Sequence, residues 1–330
     1  MQVGGQAVLE GVMMRAPGMV ATAVRRADGQ IVVRKEQHRS LADRYPAVKL
    51  PVMRGAVGLI EMVVIGMRTL NFSAEIAMQD AKADEERNGQ APKNGSSGSA
   101  PSSSKEGFKL GLTVALSLVI GVALFFATPL LIATAFFKVE QQPLYFNLIA
   151  GGIRVGLLLM YLFVISMFKD IQRLFQYHGA EHKAVFAFER GEGLDVAAAA
   201  RQSRLHPRCG TSFLLVVMVV AILLFSVLDA IVMQWLGELT LFTRLLTHLP
   251  LIPLVGGISY EFIKASAKRS DTVIGKVVVA PGLWLQKITT KEPDETQLEV
   301  ALVALRCALG EDYAIQSPVE LLGSEQVSVN

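Results

Sequence analysis

Apolar positions in this chain are gathered into long blocks. Four blocks, at about residues 110–137, 146–168, 212–233 and 239–263, reach the ~20 residues that a helix needs to cross a bilayer. Two connections between them are short, at 138–145 and 234–238, and the third, at 169–211, is long and polar. A fifth apolar stretch, 52–76, is interrupted by Arg54, Glu61, Arg68 and Glu75. A charge at the centre of a span costs roughly 2.5–3.5 kcal/mol, so this stretch reads as an interfacial or partly buried helix rather than a span.

Outside the blocks the pattern changes. Residues 20–26 and 31–36 are short β-branched runs on either side of Asp28-Gly29, a hairpin signal. The glycine-rich segment from Gly4 to Gly11 lacks the Gly-Lys-Ser/Thr ending of a phosphate loop and reads as a tight turn into a strand. Near the other end, 272–279 reads as a strand and 280–282 as a turn. Asp294 and Gln297 have capping-box spacing ahead of Leu298, Ala301, Leu302, Leu305 and Leu309, which share one helical face. The Ser/Gly-rich run 94–104 cannot bury enough apolar surface to fold.

The expected fold is an α-helical integral membrane protein with about four transmembrane helices. A small α+β cytoplasmic domain, built from the N- and C-terminal segments, completes it. The expected parts are residues 1–78, a β-rich piece with the interfacial helix; 79–107, a disordered linker; 108–168, the first two spans; 169–211, a cytoplasmic loop; 212–265, the last two spans; and 266–330, a cytoplasmic strand, helix and tail.

Charge sets the orientation. Fifteen of the 32 lysines and arginines precede the first span, seven lie in 169–211 and seven follow residue 263, while the short turns hold only Lys138. By the positive-inside bias, both termini and the long loop are cytoplasmic. The composition agrees with a membrane protein: 52% hydrophobic, 18% charged, mean hydropathy +0.41. A net charge of +3 gives no argument for nucleic acid, and two cysteines give none for a disulfide scaffold. No basic segment followed by an apolar one opens the chain, so no cleavable signal peptide is expected.

The chemistry is concentrated in the long loop. Three of the five histidines and one of the two cysteines fall between residues 178 and 209. On a helix, His178 and His182 are one turn apart on one face. His178-Gly179-Ala180-Glu181-His182 is the inverted form of the zinc-peptidase motif, in which the glutamate polarises the water held by the metal. His206 and Cys209 add ligand types that zinc favours. The expected ligands of zinc or another divalent metal are therefore His178, His182, His206 and Cys209, with Glu181 as the candidate catalytic group. Three protein ligands leave a position open for catalysis, whereas four close the site into a structural clamp. Lys183 or Arg208 is placed to stabilise an oxyanion. The plain alternative is a polar, solvated helix face.

The spans carry polar residues too. Arg154 either snorkels or needs an acid such as Asp229. His248, Pro250, Pro253, Gly256 and Gly257 indicate a broken fourth span, and Glu261 follows where it can face the motif.

Several blocks together resemble the YqhQ-like family of bacterial membrane proteins: Gly4-Gly5-Gln6-Ala7-Val8-Leu9-Glu10-Gly11-Val12-Met13-Met14-Arg15, Tyr177-His178-Gly179-Ala180-Glu181-His182-Lys183, His206-Pro207-Arg208-Cys209-Gly210-Thr211-Ser212-Phe213, and Pro281-Gly282-Leu283-Trp284-Leu285-Gln286. That family is a domain of unknown function, described as a predicted metal-dependent enzyme. The resemblance implies a multipass protein of the bacterial inner membrane, and it places the family's His/Glu/His and His/Cys blocks on His178, Glu181, His182, His206 and Cys209. Three functions fit. The leading one is a scaffold or regulator of another membrane protein, carrying a metal site at the cytoplasmic interface. The others are a metal-dependent hydrolase using His178, Glu181 and His182, and a small transporter subunit. Membrane lipid is the expected partner, with a second membrane protein under the leading reading.

Overall fold

A computed structural model describes residues 3–87, 104–137, 139–267, 272–310 and 319–322. In chain order its elements are β1 (Gly4–Val8), β2 (Gly11–Ala16), β3 (Met19–Arg25), β4 (Ile31–Gln37), α1 (Leu41–Arg44), α2 (Met53–Arg87), α3 (Ser104–Val122), α4 (Thr128–Phe137), α5 (Pro143–Ile165), α6 (Lys169–Glu189), α7 (Val196–Ala200), α8 (Gly210–Leu236), α9 (Leu241–His248), α10 (Ile252–Ala267), α11 (Val273–Thr289), α12 (Glu295–Leu309) and β5 (Val319–Leu322). They divide into two compact units.

The first unit, residues 1–84, 162–214 and 256–330, is built on a sheet of order β1-β2-β3-β4-β5. The first four strands form an antiparallel meander, and β5 pairs parallel with β4. Alternation along the strands sends side chains to both faces. Val12, Met14, Ala21, Ala23, Ile31 and Val33 pack with α6 and α12 on one face. Met13, Val20, Val24 and Val32 pack with Ile65, Phe72 and Ile76 of α2 on the other. Both faces are thus buried, which explains the unbroken run Ile31-Val32-Val33. α12 starts with the expected capping box at Asp294 and Gln297 and stops at Gly310 in the left-handed region.

The second unit, residues 85–161 and 215–255, is helical. Phe126, Leu130, Phe146, Ala150, Ala221, Phe225 and Val255 form its core. α5 and α8 approach closely at Gly151, where a β-carbon would lie 2.3 Å from Ile222. A single π-helical turn, Ala123–Ala127, joins α3 to α4.

Several expectations change. Among the described residues five helical segments, not four, are long and apolar enough to span, because α2 qualifies by length and composition. The domain is not simply the two chain ends: its four-stranded meander is N-terminal, and the helical layer over it combines α12 with α6 from mid-chain. Thr272 caps helix α11 and residues 273–282 lie within it, instead of forming a strand and a turn. Residues 169–211 are largely helical. Of the expected linker, 79–87 continue α2 and 104–107 begin α3, while 88–103 lie outside the described residues. Arg154 donates to the Phe125 carbonyl at 2.9 Å rather than pairing with Asp229. The break in the last apolar block is observed, as α9, a turn of 3-10 helix at Leu249–Leu251, and α10.

Candidate metal centre

His178 and His182 lie on α6 with their ring centres 4.5 Å apart. Cys209 stands immediately before α8. One ligand atom from each of these three residues lies within 4.8 Å of the other two. The second nitrogen of each histidine is engaged. His178 Nδ1 is 2.9 Å from the Thr289 carbonyl oxygen, and His182 Nδ1 is 2.5 Å from that of Arg204. A carbonyl oxygen only accepts, so each Nδ1 carries the hydrogen and each neutral ring keeps a lone pair on Nε2. This is the arrangement that orients metal-binding histidines. Cys209 Sγ is 3.3 Å from His178 Nε2, and the Thr211 N–H at the start of α8 points at it from 3.4 Å. Burial pushes the His182 pKa below its ordinary value, keeping the ring in its neutral, ligating form. Two imidazole nitrogens and one thiol are a donor set suited to zinc. The residues present therefore fit a metal.

Glu181 points into the interior beside this group and is 6% exposed. Its Oε2 is 3.5 Å from His182 Nε2. Burial raises its pKa, opposed by the neighbouring His178 and His206 and by a hydrogen bond from the Gly5 backbone. A β-carbon at Gly5 would lie 2.3 Å from the Met13 oxygen and 3.0 Å from Glu181 Cγ, so only glycine lets β1 pass this close.

His206 is not brought into the three-residue group. Its Nδ1 accepts from the Arg208 N–H at 3.2 Å, which leaves Nε2–H facing Glu189 Oε2 at 3.3 Å. Its backbone is clamped by Gln286, which accepts from His206 N at 2.8 Å and donates to His206 O at 2.8 Å. Gln286 also donates to Ser212 at 3.0 Å, tying α11 to the base of α8. Neither expected oxyanion partner is free: Lys183 binds the Ala200 carbonyl and Glu292, and Arg208 pairs with Glu189. Glu261 pairs with Arg54 at 2.5 Å instead of facing the motif. Gln286 stands in the last of the resembling blocks without an assigned role, and Thr289 and Arg204 have no role in the sequence reading. The signal for Gln286 was a lone amide in the apolar run Leu283-Trp284-Leu285; the other two act through backbone carbonyls.

These features define a multipass membrane protein with a His/His/Cys cluster able to hold a metal ion. A family model described as a protein of unknown function (DUF1385) matches residues 50–311, and the chain belongs to this family. It is 36% identical over 307 residues to a protein of Bacillus subtilis (strain 168) described as uncharacterized protein YqhQ, covering 91% of this chain and 89% of that one. No solved structure matches.

Proposed function

We propose that the protein is a metal-dependent hydrolase at the cytoplasmic face of the bacterial cell membrane, with zinc or a similar divalent ion held by His178, His182 and Cys209. The observation that carries this reading is the ligand count. Three donors converge, while His206, which would close the set, is held by Glu189. Three protein ligands are the usual number in catalytic zinc sites. When bound, the ion supplies Lewis acidity toward water and toward a carbonyl or phosphoryl oxygen. The chain supplies the rest. Glu181, whose Oε2 lies 3.5 Å from His182 Nε2, stands outside the ligand set, and burial raises its proton affinity, as suits a group that accepts and returns a proton. The Gly5 backbone holds it in place. The substrate class consistent with the site's place at the start of α8 is a peptide or lipid-linked ester or amide at the membrane surface.

A second reading is favoured by burial: His182 is 2% and Cys209 8% exposed. In it the ion clamps α6 to the first turn of α8, and the domain acts as a scaffold or regulator of another membrane protein.

Cobalt substitution of the detergent-purified protein separates the two. We expect about one ion per chain, lost in His178→Ala and His182→Ala. Azide should change the cobalt spectrum, and Glu181→Gln should retain the metal. A spectrum indifferent to azide would leave the clamp and remove the hydrolase. Wild-type protein that stays metal-free after zinc is supplied would remove both.

A further inference from the structure

The second unit contains a buried ionic cluster, none of whose residues belongs to the metal centre. Asp229 is fully buried in α8, an apolar helix long enough to span. Its Oδ2 accepts from Asn147 Nδ2 of α5 at 2.8 Å and lies 3.3 Å from Arg244 Nε of α9. Its Oδ1 is 2.8 Å from His248 Nε2, at the end of α9. Arg244 also donates to the Glu140 carbonyl at 2.5 Å and lies against the Phe146 ring. Each such charge costs several kcal/mol to bury, and an apolar contact would pack these helices without that cost.

The cluster is also incomplete. The carboxylate oxygen at Nε2 fixes neutral His248 as its Nε2–H tautomer, leaving a lone pair on Nδ1. That atom is buried and has no hydrogen-bond partner among the described residues. Buried acceptors are rarely left so, because an unmet one has given up its water for nothing in return. The imidazole ring stacks flat on Phe225, with centroids 4.1 Å apart and planes 3° from parallel, and the Phe126 ring stands at right angles to it. An aromatic face attracts a cationic ring. The vacant lone pair, the carboxylate and the phenyl face all suit an imidazolium.

We propose that Asp229 and His248 form a proton-binding site in the helical unit. A proton delivered by water is taken up on His248 Nδ1, and the resulting imidazolium is held between Asp229 Oδ1 and the Phe225 ring. The charged groups at the ring are Asp229 from α8 and Arg244 from its own helix, with the Glu140 carboxylate, ahead of α5, acting on Arg244. α5 contributes neutral Asn147, and Phe126, from the π turn, lies under the Arg154 guanidinium, 5.0 Å from its centroid. Arg244 offsets Asp229 and is itself under the influence of Glu140, so the bound proton sits among charges of both signs.

The test is ¹⁵N spectroscopy of the full chain, labelled at histidine and reconstituted in lipid nanodiscs, between about pH 9 and pH 4. His248→Gln identifies the His248 signals by their loss. At high pH, His248 should show a protonated Nε2 and a bare Nδ1, and it should gain the second proton on acidification. Asp229→Asn should weaken proton affinity about tenfold, and Phe225→Leu, which keeps an apolar side chain, should weaken it by less. A ring that stays singly protonated until the fold is lost, or that carries its hydrogen on Nδ1 at high pH, would overturn the proposal. So would an unchanged titration in folded Asp229→Asn. If that variant does not fold, the wild-type series decides alone.

Discussion

At Gly179 a β-carbon would lie 2.1 Å from the Lys291 carbonyl oxygen. Lys291 N donates to the Phe175 carbonyl at 2.8 Å, so the chain leaving α11 runs against α6 at this turn. That passage brings the Thr289 carbonyl to His178. Gly179→Ala should therefore force the segment away, destabilise the domain by about 1–3 kcal/mol and lower metal occupancy, which thermal unfolding and metal analysis would show together. A second expectation concerns pH. Burial lowers the pKa of both His182 and His206 from 6.5. The unfolded chain then binds more protons than the folded one, so their contribution to stability is complete above pH 6.5 and is lost as pH falls through the lowered folded values. Glu181, whose pKa burial raises, works in the opposite sense, favouring the fold as pH drops toward its unfolded value. Metal-free protein should lose stability on acidification below about pH 6.5, and His206→Gln should reduce the slope in urea unfolding. At this scale the sequence was informative about side chains and silent about main chain. His178, His182 and Cys209 were legible from spacing. The carbonyls of Arg204 and Thr289 carry no side-chain signature, and nothing local showed that His206 would turn to Glu189.

At the scale of elements, local signals held where the chain's own backbone decides. The Asp28-Gly29 turn and the Asp294–Gln297 capping box both appear where their residues place them. Asp294→Ala should remove the side-chain acceptor for Gln297 N–H and cost about 1 kcal/mol, read as faster amide exchange in the first turn of α12 with the rest of the sheet unchanged. α11 shows the converse. Its β-branched opening reads as a strand, yet it is helical with Pro281 inside. Val273 and Val277 are 79% and 67% exposed. A segment that turns apolar side chains outward beside a membrane must satisfy its backbone internally, and a helix does so without a partner strand. β5 was missed for the opposite reason: a four-residue strand gets its order from pairing with β4, far away in sequence.

For the whole molecule, the question left by pattern alone is whether α2 crosses the bilayer. Its length and hydropathy allow this, but its contacts argue otherwise. Gln6 donates to Thr69 at 3.1 Å, Leu9 N to Ser73 at 3.3 Å and Arg26 to Asp80 at 2.9 Å, while Ile65, Phe72 and Ile76 pack under the strands. The sheet thus lies along α2 from about Ile65 to Asp80, roughly 22 Å at 1.5 Å per residue. A sheet edge with unpaired backbone groups cannot enter hydrocarbon beside it. The face turned from the sheet carries Ile60, Val63, Val64, Met67 and Leu70, each at least 41% exposed, as on a helix lying in the interfacial plane. Basic residues before it, Arg39, Arg44 and Lys49, are exposed and suit anionic headgroups. Single cysteines at Lys49, Lys82, Arg201 and Gln141 test this with a membrane-impermeant maleimide, since native Cys209 and Cys307 are buried. We expect Lys49→Cys, Lys82→Cys and Arg201→Cys to label from one side and Gln141→Cys from the other. Labelling of Lys49→Cys and Lys82→Cys from opposite sides would make α2 a span. The 15 basic residues before residue 110 would then be divided between the two sides, and the positive-inside argument for their orientation would fail with it.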